Sequence, residues 1–335
     1  MAPSETPPAP VWLLILDSCP LPSTEPPATQ ADQPLHWHPF DDLDCQSLCF
    51  EQYYSQNPAP ETNLADYLGG PAACSEFQTR LSNAAKSCQH ISLRFPADCG
   101  TKLPHGQPWL TPSPTTALPS TEQNSTPPDL LILSANGCES FETLTEILKW
   151  ILQQRTHCTV AGCPPTLIVT ALQGVAVKVP QHFTAACSEA LIHVPLWILS
   201  RGIHSARLQT LCGSHDVLPT IAQLLSLPPL QNDHCPAPDD VTPPALLQTP
   251  VSLFCVRELH PEINPRLLTI AGGEWVGLRT QHYFLVHPVN LPNNDDVLQT
   301  CSLYQKPDDF WNVNNSIVAC EEIARAMLAA ASQQH

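Results

Sequence analysis

The sequence predicts an α/β protein: a mostly parallel sheet with helices, followed by a small antiparallel sheet and one helix near the C-terminal end. Three observations carry this expectation. Four short, continuous apolar runs recur along the first two hundred residues, a helical periodicity fills one of the gaps between them, and strand-like segments gather after residue 250.

The run VWLLIL at 11–16 follows Pro10 and stops at Asp17. An unbroken apolar run of that length suits a strand buried on both faces of a parallel sheet. The runs at 130–133, 166–170 and 194–199 match it. Within 140–154, Phe141, Leu144, Ile147, Leu148 and Ile151 recur at helical spacing. Strand, amphipathic helix and strand in that order mark a parallel α/β sheet. Further helices are expected at 41–54, 76–88 and 216–225, the last opened by Asp216 near its positive end. After residue 250 the segments 251–258, 274–280 and 282–287 read as strands and 316–331 as a helix. Pro/Ser/Thr-rich stretches at 20–34 and 104–128 read as surface loops, and 231–250 as a proline-rich linker. The expected organisation is a core at 10–230, that linker, and a small sheet-plus-helix unit at 251–335.

Composition narrows the function. Fourteen Lys+Arg against 31 Asp+Glu give a formal charge of −17, and no stretch concentrates the few basic residues. Nucleic acid and anionic membrane are excluded as partners, because both need a positive stripe. No apolar run approaches the roughly 20 residues of a spanning helix, and residues 1–10 lack the basic start of a signal peptide. The 15 cysteines are scattered singly, with Cys45/Cys49 and Cys158/Cys163 the nearest pairs. Free, mostly buried thiols in a reducing cytoplasm are the expectation. His36 and His38 form a His-x-His pair without a third ligand at matching spacing. Asn124 and Asn314 open glycosylation sequons in letter only. No phosphate-binding glycine loop or Gly-x-Ser-x-Gly elbow is present.

Several segments in order resemble one family. Thr170-Ala-Leu-Gln-Gly174 stands at a strand end, and Ser188-Glu-Ala-Leu-Ile-His-Val-Pro-Leu196 follows. Arg201-Gly202 and Ser214-His-Asp-Val-Leu-Pro-Thr220 come next, then Gly277-Leu-Arg-Thr280 with Tyr283. Leu303-Tyr-Gln-Lys-Pro-Asp-Asp309 precedes Asn314 and Asn315. Together with the opening strand ending at Asp17 and the segment from Asp41 to Phe50, these resemble the sulfatase branch of the alkaline-phosphatase superfamily. The resemblance implies a three-layer α/β/α alkaline-phosphatase-like core. It also implies a sulfuric-ester hydrolase using a formylglycine, made from the first residue of a Cys/Ser-x-Pro-Ser-Arg motif, beside a calcium ion held by carboxylates at strand ends.

Set against that pattern, the chemistry looks stripped. Aligning Pro60 with the motif's proline puts the nucleophile position on Pro58 and the arginine on Thr62; proline has no thiol or hydroxyl to convert. Ser55 is the nearby hydroxyl, five positions before Pro60. The family's Asp-His pair falls on Leu172 and Gln173, and its opening acidic pair on Asp17, Ser18 and Cys19. Its second lysine falls near Thr184, with Lys178 and His182 close by. One carboxylate and one amide cannot offset the dehydration of a hard dication, which takes about six oxygen ligands. Asp17, Pro58, Leu172 and Gln173 are expected to converge at one sheet edge. The expectation is a sulfatase-like protein that has lost hydrolysis, with no confident catalytic or metal residue and no cofactor. Asp17 is a possible metal-ligand remnant, and a protein or small molecule is the expected occupant of the vestigial cleft. The alternative is a working hydrolase rebuilt around Asp17 with Ser18 or Cys19.

Overall fold

A computed structural model describes residues 9–19, 43, 45–58, 64–94, 128–136, 141–158, 164–174, 188–228, 250–256, 266–291, 297–306, 308–309 and 312–332. Thr62, Lys178, His182, Thr184, His36, His38 and Asn124 lie outside them, as do the segments 20–34, 104–127 and 231–249.

The sheet is organised around β1 (Val11–Ser18), whose residues 11–16 are at most 4% exposed. Successive side chains of a strand point to opposite faces, so both faces of β1 are covered and three layers result. In chain order follow β2 (Leu48–Phe50), β3 (Tyr53–Tyr54), α1 (Leu64–Tyr67), α2 (Pro71–Asn83), β4 (Cys88–Arg94), β5 (Leu130–Asn136), α3 (Phe141–His157) and β6 (Thr166–Gln173). Next come α4 (Glu189–Ile192), β7 (Leu196–Leu199), β8 (Ala206–Leu208), β9 (Cys212–Gly213) and α5 (Val217–Leu224). The seven-stranded order is β4-β5-β1-β6-β7-β2-β8. The four runs seen in the sequence are therefore neighbours. All pairs are parallel except those of β7, which runs against both β6 and β2. Phe77 and Leu81 of α2, Leu144, Ile147, Leu148 and Ile151 of α3, and most of α5 bury in the same cluster as the sheet. Leu14 is at its centre. We expect Leu14→Ala to lower unfolding free energy by about 2–5 kcal/mol, the range for emptying a well-packed leucine site. A guanidinium midpoint within error of wild type would show that this core collapses around the gap.

Two expectations are corrected here. Of the described residues in 41–54, only 43, 45 and 46 are helical; Leu48–Phe50 and Tyr53–Tyr54 are strands. Phe50, Tyr53 and Tyr54 are nearly fully buried, and β2 closes a gap between β7 and β8, so ladder pairing and aromatic packing outweigh the helical spacing. The segment 251–258 contains a short helix, α6 (Leu253–Val256), instead of a strand. Its amides are drawn onto α5: Val251 N–H donates to Asp216 Oδ1 (2.9 Å) and Leu253 N–H to Thr220 Oγ1 (2.9 Å), leaving no ladder to join. The helix expected at 76–88 starts five residues earlier, because Pro71 presets the backbone angle of its first turn.

The remaining chain forms a four-stranded antiparallel sheet of β10 (Leu268–Gly272), β11 (Trp275–Arg279), β12 (Tyr283–Pro288) and β13 (Ser302–Gln305), followed by α7 (Glu321–Ser332). Alternation sorts its two faces. Leu278, Leu285 and Leu303 face Ala324 and Met327 of α7, while Ile270, Phe284, Val286 and Tyr304 meet Tyr54, Ile192 and Leu211 of the core. Gly277 permits the second contact, since a Cβ there would stand 2.7 Å from the Phe284 ring.

Candidate functional site

The C-terminal ends of β1 and β6 lie side by side. Ser18 pairs with Gln173, and Cys19 N–H donates to the Gln173 carbonyl at 3.0 Å. The two strand ends adjoin as expected, with Ser18 level with Gln173 and Asp17 falling level with Leu172 on the alternate face. Asp17 Oδ1 accepts the Ser18 N–H at 2.8 Å, which occupies one of its oxygens in a local turn. Leu172 packs against the core. Cys19 is fully buried, and burial pushes its thiol far above the usual range, so no thiolate nucleophile is available there.

Pro58 is buried and ends a segment whose hydrogen bonds run toward the C-terminal sheet and the start of α5. Gln56 makes those bonds. Its N–H donates to Ser214 Oγ (3.2 Å), its Nε2 donates to the Thr269 carbonyl (3.2 Å), its Oε1 accepts the His215 N–H (3.2 Å), and its carbonyl accepts the Ala271 N–H (2.8 Å). Ser55 is also buried, and its hydroxyl has no hydrogen-bond partner among the described residues. Beside Gln56 opens a cavity of about 350 Å³ lined by Asn57, Asp66, Gly70, His215 and Thr269 among others. Burial lowers the His215 pKa against the opposing pull of Asp216 and of a ring hydrogen bond to the Asp66 main chain.

A third cluster sits between core and C-terminal sheet, around the buried Glu189 carboxylate. Tyr54 OH donates to Glu189 Oε1 at 2.7 Å and accepts from Arg279 Nη2 at 2.8 Å. Arg279 Nη2 is 3.5 Å and Lys306 Nζ 3.2 Å from the carboxylate. His193 stacks on Tyr54 at 4.8 Å and donates from Nε2 to the Glu51 carbonyl at 2.6 Å. Burial alone would raise the Glu189 pKa; Arg279, then Lys306, His193 and the Tyr54 hydroxyl outweigh it and hold the carboxyl at about 2. Burial lowers the Lys306 ammonium despite Glu189, while Arg279 is raised by Tyr54 and Glu189. The close contacts favour the ionised set. The sequence segments around 188–196, 277–283 and 303–309 supply these residues, but their meeting on one carboxylate needed the fold.

No family model matches the sequence, and a search of curated proteins finds no match. Solved structures do match over nearly the whole chain. A 2-O GAG sulfatase is 11% identical with a TM-score of 0.58, covering 98% of this chain and 92% of that one. A protein solved in complex with its substrate D-glucosamine-2-N,6-O-disulfate is 10% identical with a TM-score of 0.63, covering 98% of each chain. The phosphonate monoester hydrolase of Agrobacterium radiobacter is 11% identical with a TM-score of 0.56, covering 98% and 96%. The chain has a sulfatase-type α/β fold.

The donor set at the strand ends does not fit the calcium that sulfatases of this fold hold. Among the described residues, Asp17 is the one carboxylate at the paired ends of β1 and β6, one of its oxygens already accepts a main-chain N–H, and the neighbouring strand brings Leu172 and Gln173. A hard dication needs several carboxylates to replace its water. No helix among the described residues is long and apolar enough to cross a membrane.

Proposed function

We propose that this sulfatase-fold chain has lost sulfuric-ester hydrolysis and uses the scaffold to bind. The observation that carries the reading is the pairing of β1 with β6: the strand end opposite Ser18 bears Gln173, preceded by the core-packed Leu172, where the family pattern has a histidine and an acid. The rebuilt-hydrolase alternative is disfavoured by the buried, un-ionised Cys19 thiol beside Asp17. A reducing, cytoplasmic setting is part of this proposal, and it is supported in that no disulfide joins any two of the ten described cysteines.

The expected result is no calcium-dependent turnover of an aryl sulfate or aryl phosphate above the uncatalysed rate, by wild type or by Asp17→Ala. Nucleophile and electrophile are both missing from the matched positions, and each loss alone costs orders of magnitude in rate. Turnover by wild type that Asp17→Ala abolishes would replace the binding reading with a rebuilt hydrolase.

A further inference from the structure

His193 lies on the seam between the core and the C-terminal sheet, with its two ring nitrogens in unlike positions. Nε2 is 2.6 Å from the Glu51 carbonyl, which can only accept, so Nε2 carries the hydrogen. Nδ1 is buried and makes no hydrogen bond among the described residues, and Glu189 Oε1 stands 3.9 Å from it. In the neutral ring Nδ1 is a lone pair beside a carboxylate. One proton turns it into a charged donor beside the same oxygen. The side chain keeps 15% of its surface exposed, so water can deliver that proton without the fold opening.

The charges around the ring are divided unequally across the seam. On the core side α4 brings Glu189, with His193 just past its end. There β3 brings Tyr54, stacked on the imidazole, and the turn after β2 brings Glu51, whose carboxylate is paired with Arg207 of β8. On the other side β11 brings Arg279 and β13 brings Lys306, both buried against Glu189. Both cations of the cluster therefore belong to the C-terminal sheet, while the carboxylate they share belongs to the core. A proton on His193 raises the net charge of these four groups from one positive to two, in a place where little water remains to screen it. Lifting the sheet away removes two of those positive charges. It leaves the imidazolium with Glu189 and the Glu51 carbonyl as partners of its own. The docked arrangement thus favours the neutral ring, and the separated one favours the charged ring. The His193 pKa moves in the same direction: burial, helped by Arg279 and Lys306, outweighs the upward pull of Glu189 and the Glu51 carbonyl and holds it below 6.5.

We propose that His193 is a proton-operated latch: neutral, it leaves Glu189 to hold the C-terminal sheet through Arg279 and Lys306; protonated, it takes Glu189 as its own counter-charge and loosens that sheet from the core. The latch does not depend on whether the chain hydrolyses esters. Its sign is fixed, because a histidine whose folded pKa is depressed contributes stability that is complete above the unfolded value of 6.5 and declines as pH falls below it. One proton changes such an opening equilibrium by at most about tenfold per pH unit. The test is amide hydrogen exchange of the full chain at pH 7.5 and 5.0, corrected for the intrinsic effect of pH, with β1, β5 and β6 as internal reference. Amides of β11, β12 and β13 are expected to exchange at least about fivefold faster at the lower pH, with the reference strands unchanged. His193→Gln keeps an N–H for the Glu51 carbonyl but takes no proton, and should lose most of the acid effect. His215→Gln and His287→Gln, which alter the other buried imidazoles near this sheet, should keep it. Should His193→Gln fail to fold, wild type decides with those two variants: acceleration confined to the C-terminal sheet, setting in below about pH 6.5 and surviving both substitutions, supports the latch. Equal protection at the two pH values, acceleration shared by the reference strands, loss of the effect in His215→Gln or His287→Gln, or an undiminished effect in a folded His193→Gln would overturn the proposal.

Discussion

Replacing Glu189 by alanine should cost on the order of 3–5 kcal/mol of folding free energy, the largest single-site loss expected in this chain. The carboxylate is buried between Arg279 and Lys306 and accepts the Tyr54 hydroxyl. Removing it takes the shared counter-charge from two buried cations, and breaking a buried pair from one side is strongly destabilising because the surviving charge is left uncompensated. The loss should depend on pH in a definite direction. The Glu189 pKa is depressed from 4.5 to about 2 in the folded protein. Its contribution is therefore fully present above the unfolded value and fades as pH falls toward the folded one. That shift corresponds to roughly 3 kcal/mol. Denaturation of wild type and variant should show a constant gap at pH 6–8 that narrows between about pH 4.5 and 2. A gap that stays constant down to pH 2.5 would mean that packing around the side chain, and not its charge, holds the two sheets together.

Asp216→Ala should cost nearly as much, about 3–5 kcal/mol by the same reasoning. Both carboxylate oxygens take an arm of Arg266, at 2.7 and 2.9 Å, and each also accepts a main-chain N–H, from Gly213 at 2.8 Å and from Val251 at 2.9 Å. The residue therefore ties the start of α5 to the chain on both sides of the proline-rich stretch. Asp216→Asn keeps an accepting oxygen and should recover part of the loss. An Asp216→Ala midpoint matching wild type in urea would show that the guanidinium finds other partners once the carboxylate is gone.

Much of the core was legible because its strands are buried on both faces. The runs at 11–16, 130–133, 166–170 and 196–199 are continuous apolar sequence for the same reason that they are adjacent in the sheet. Where burial is one-sided or the element is two or three residues long, the signal fails. Phe50, Tyr53 and Tyr54 fall at spacings that a helix also allows, and only the gap between β7 and β8, for Phe50, and the pairing with β9, for Tyr53 and Tyr54, makes them strands. The edge strands Leu268–Gly272 and Ser302–Gln305 were not anticipated, the first because exposed Thr269 and Ala271 on its other face break up its apolar run. That the ends of β1 and β6 adjoin was legible from strand order alone. The cavity was not, since it joins the stretch 56–70 to His215 and Thr269 across the fold, and the one of these that stands in a family-like segment, His215, does not by that resemblance mark a cavity.

The position of β1 sets a timetable for synthesis. It is made before the other described strands, yet its two partners are β5 and β6, which begin 112 and 148 residues after it ends. At ribosomal rates of roughly 5–20 residues per second, VWLLIL waits roughly 7–30 s for its second neighbour. During that interval six apolar residues without a charge or proline have both edges unpaired, the composition that seeds intermolecular strand pairing. Overproduction of this chain should therefore be limited by aggregation of nascent and newly released molecules, and slower growth at low temperature with ample chaperone should raise the yield more than any change that stabilises the finished fold.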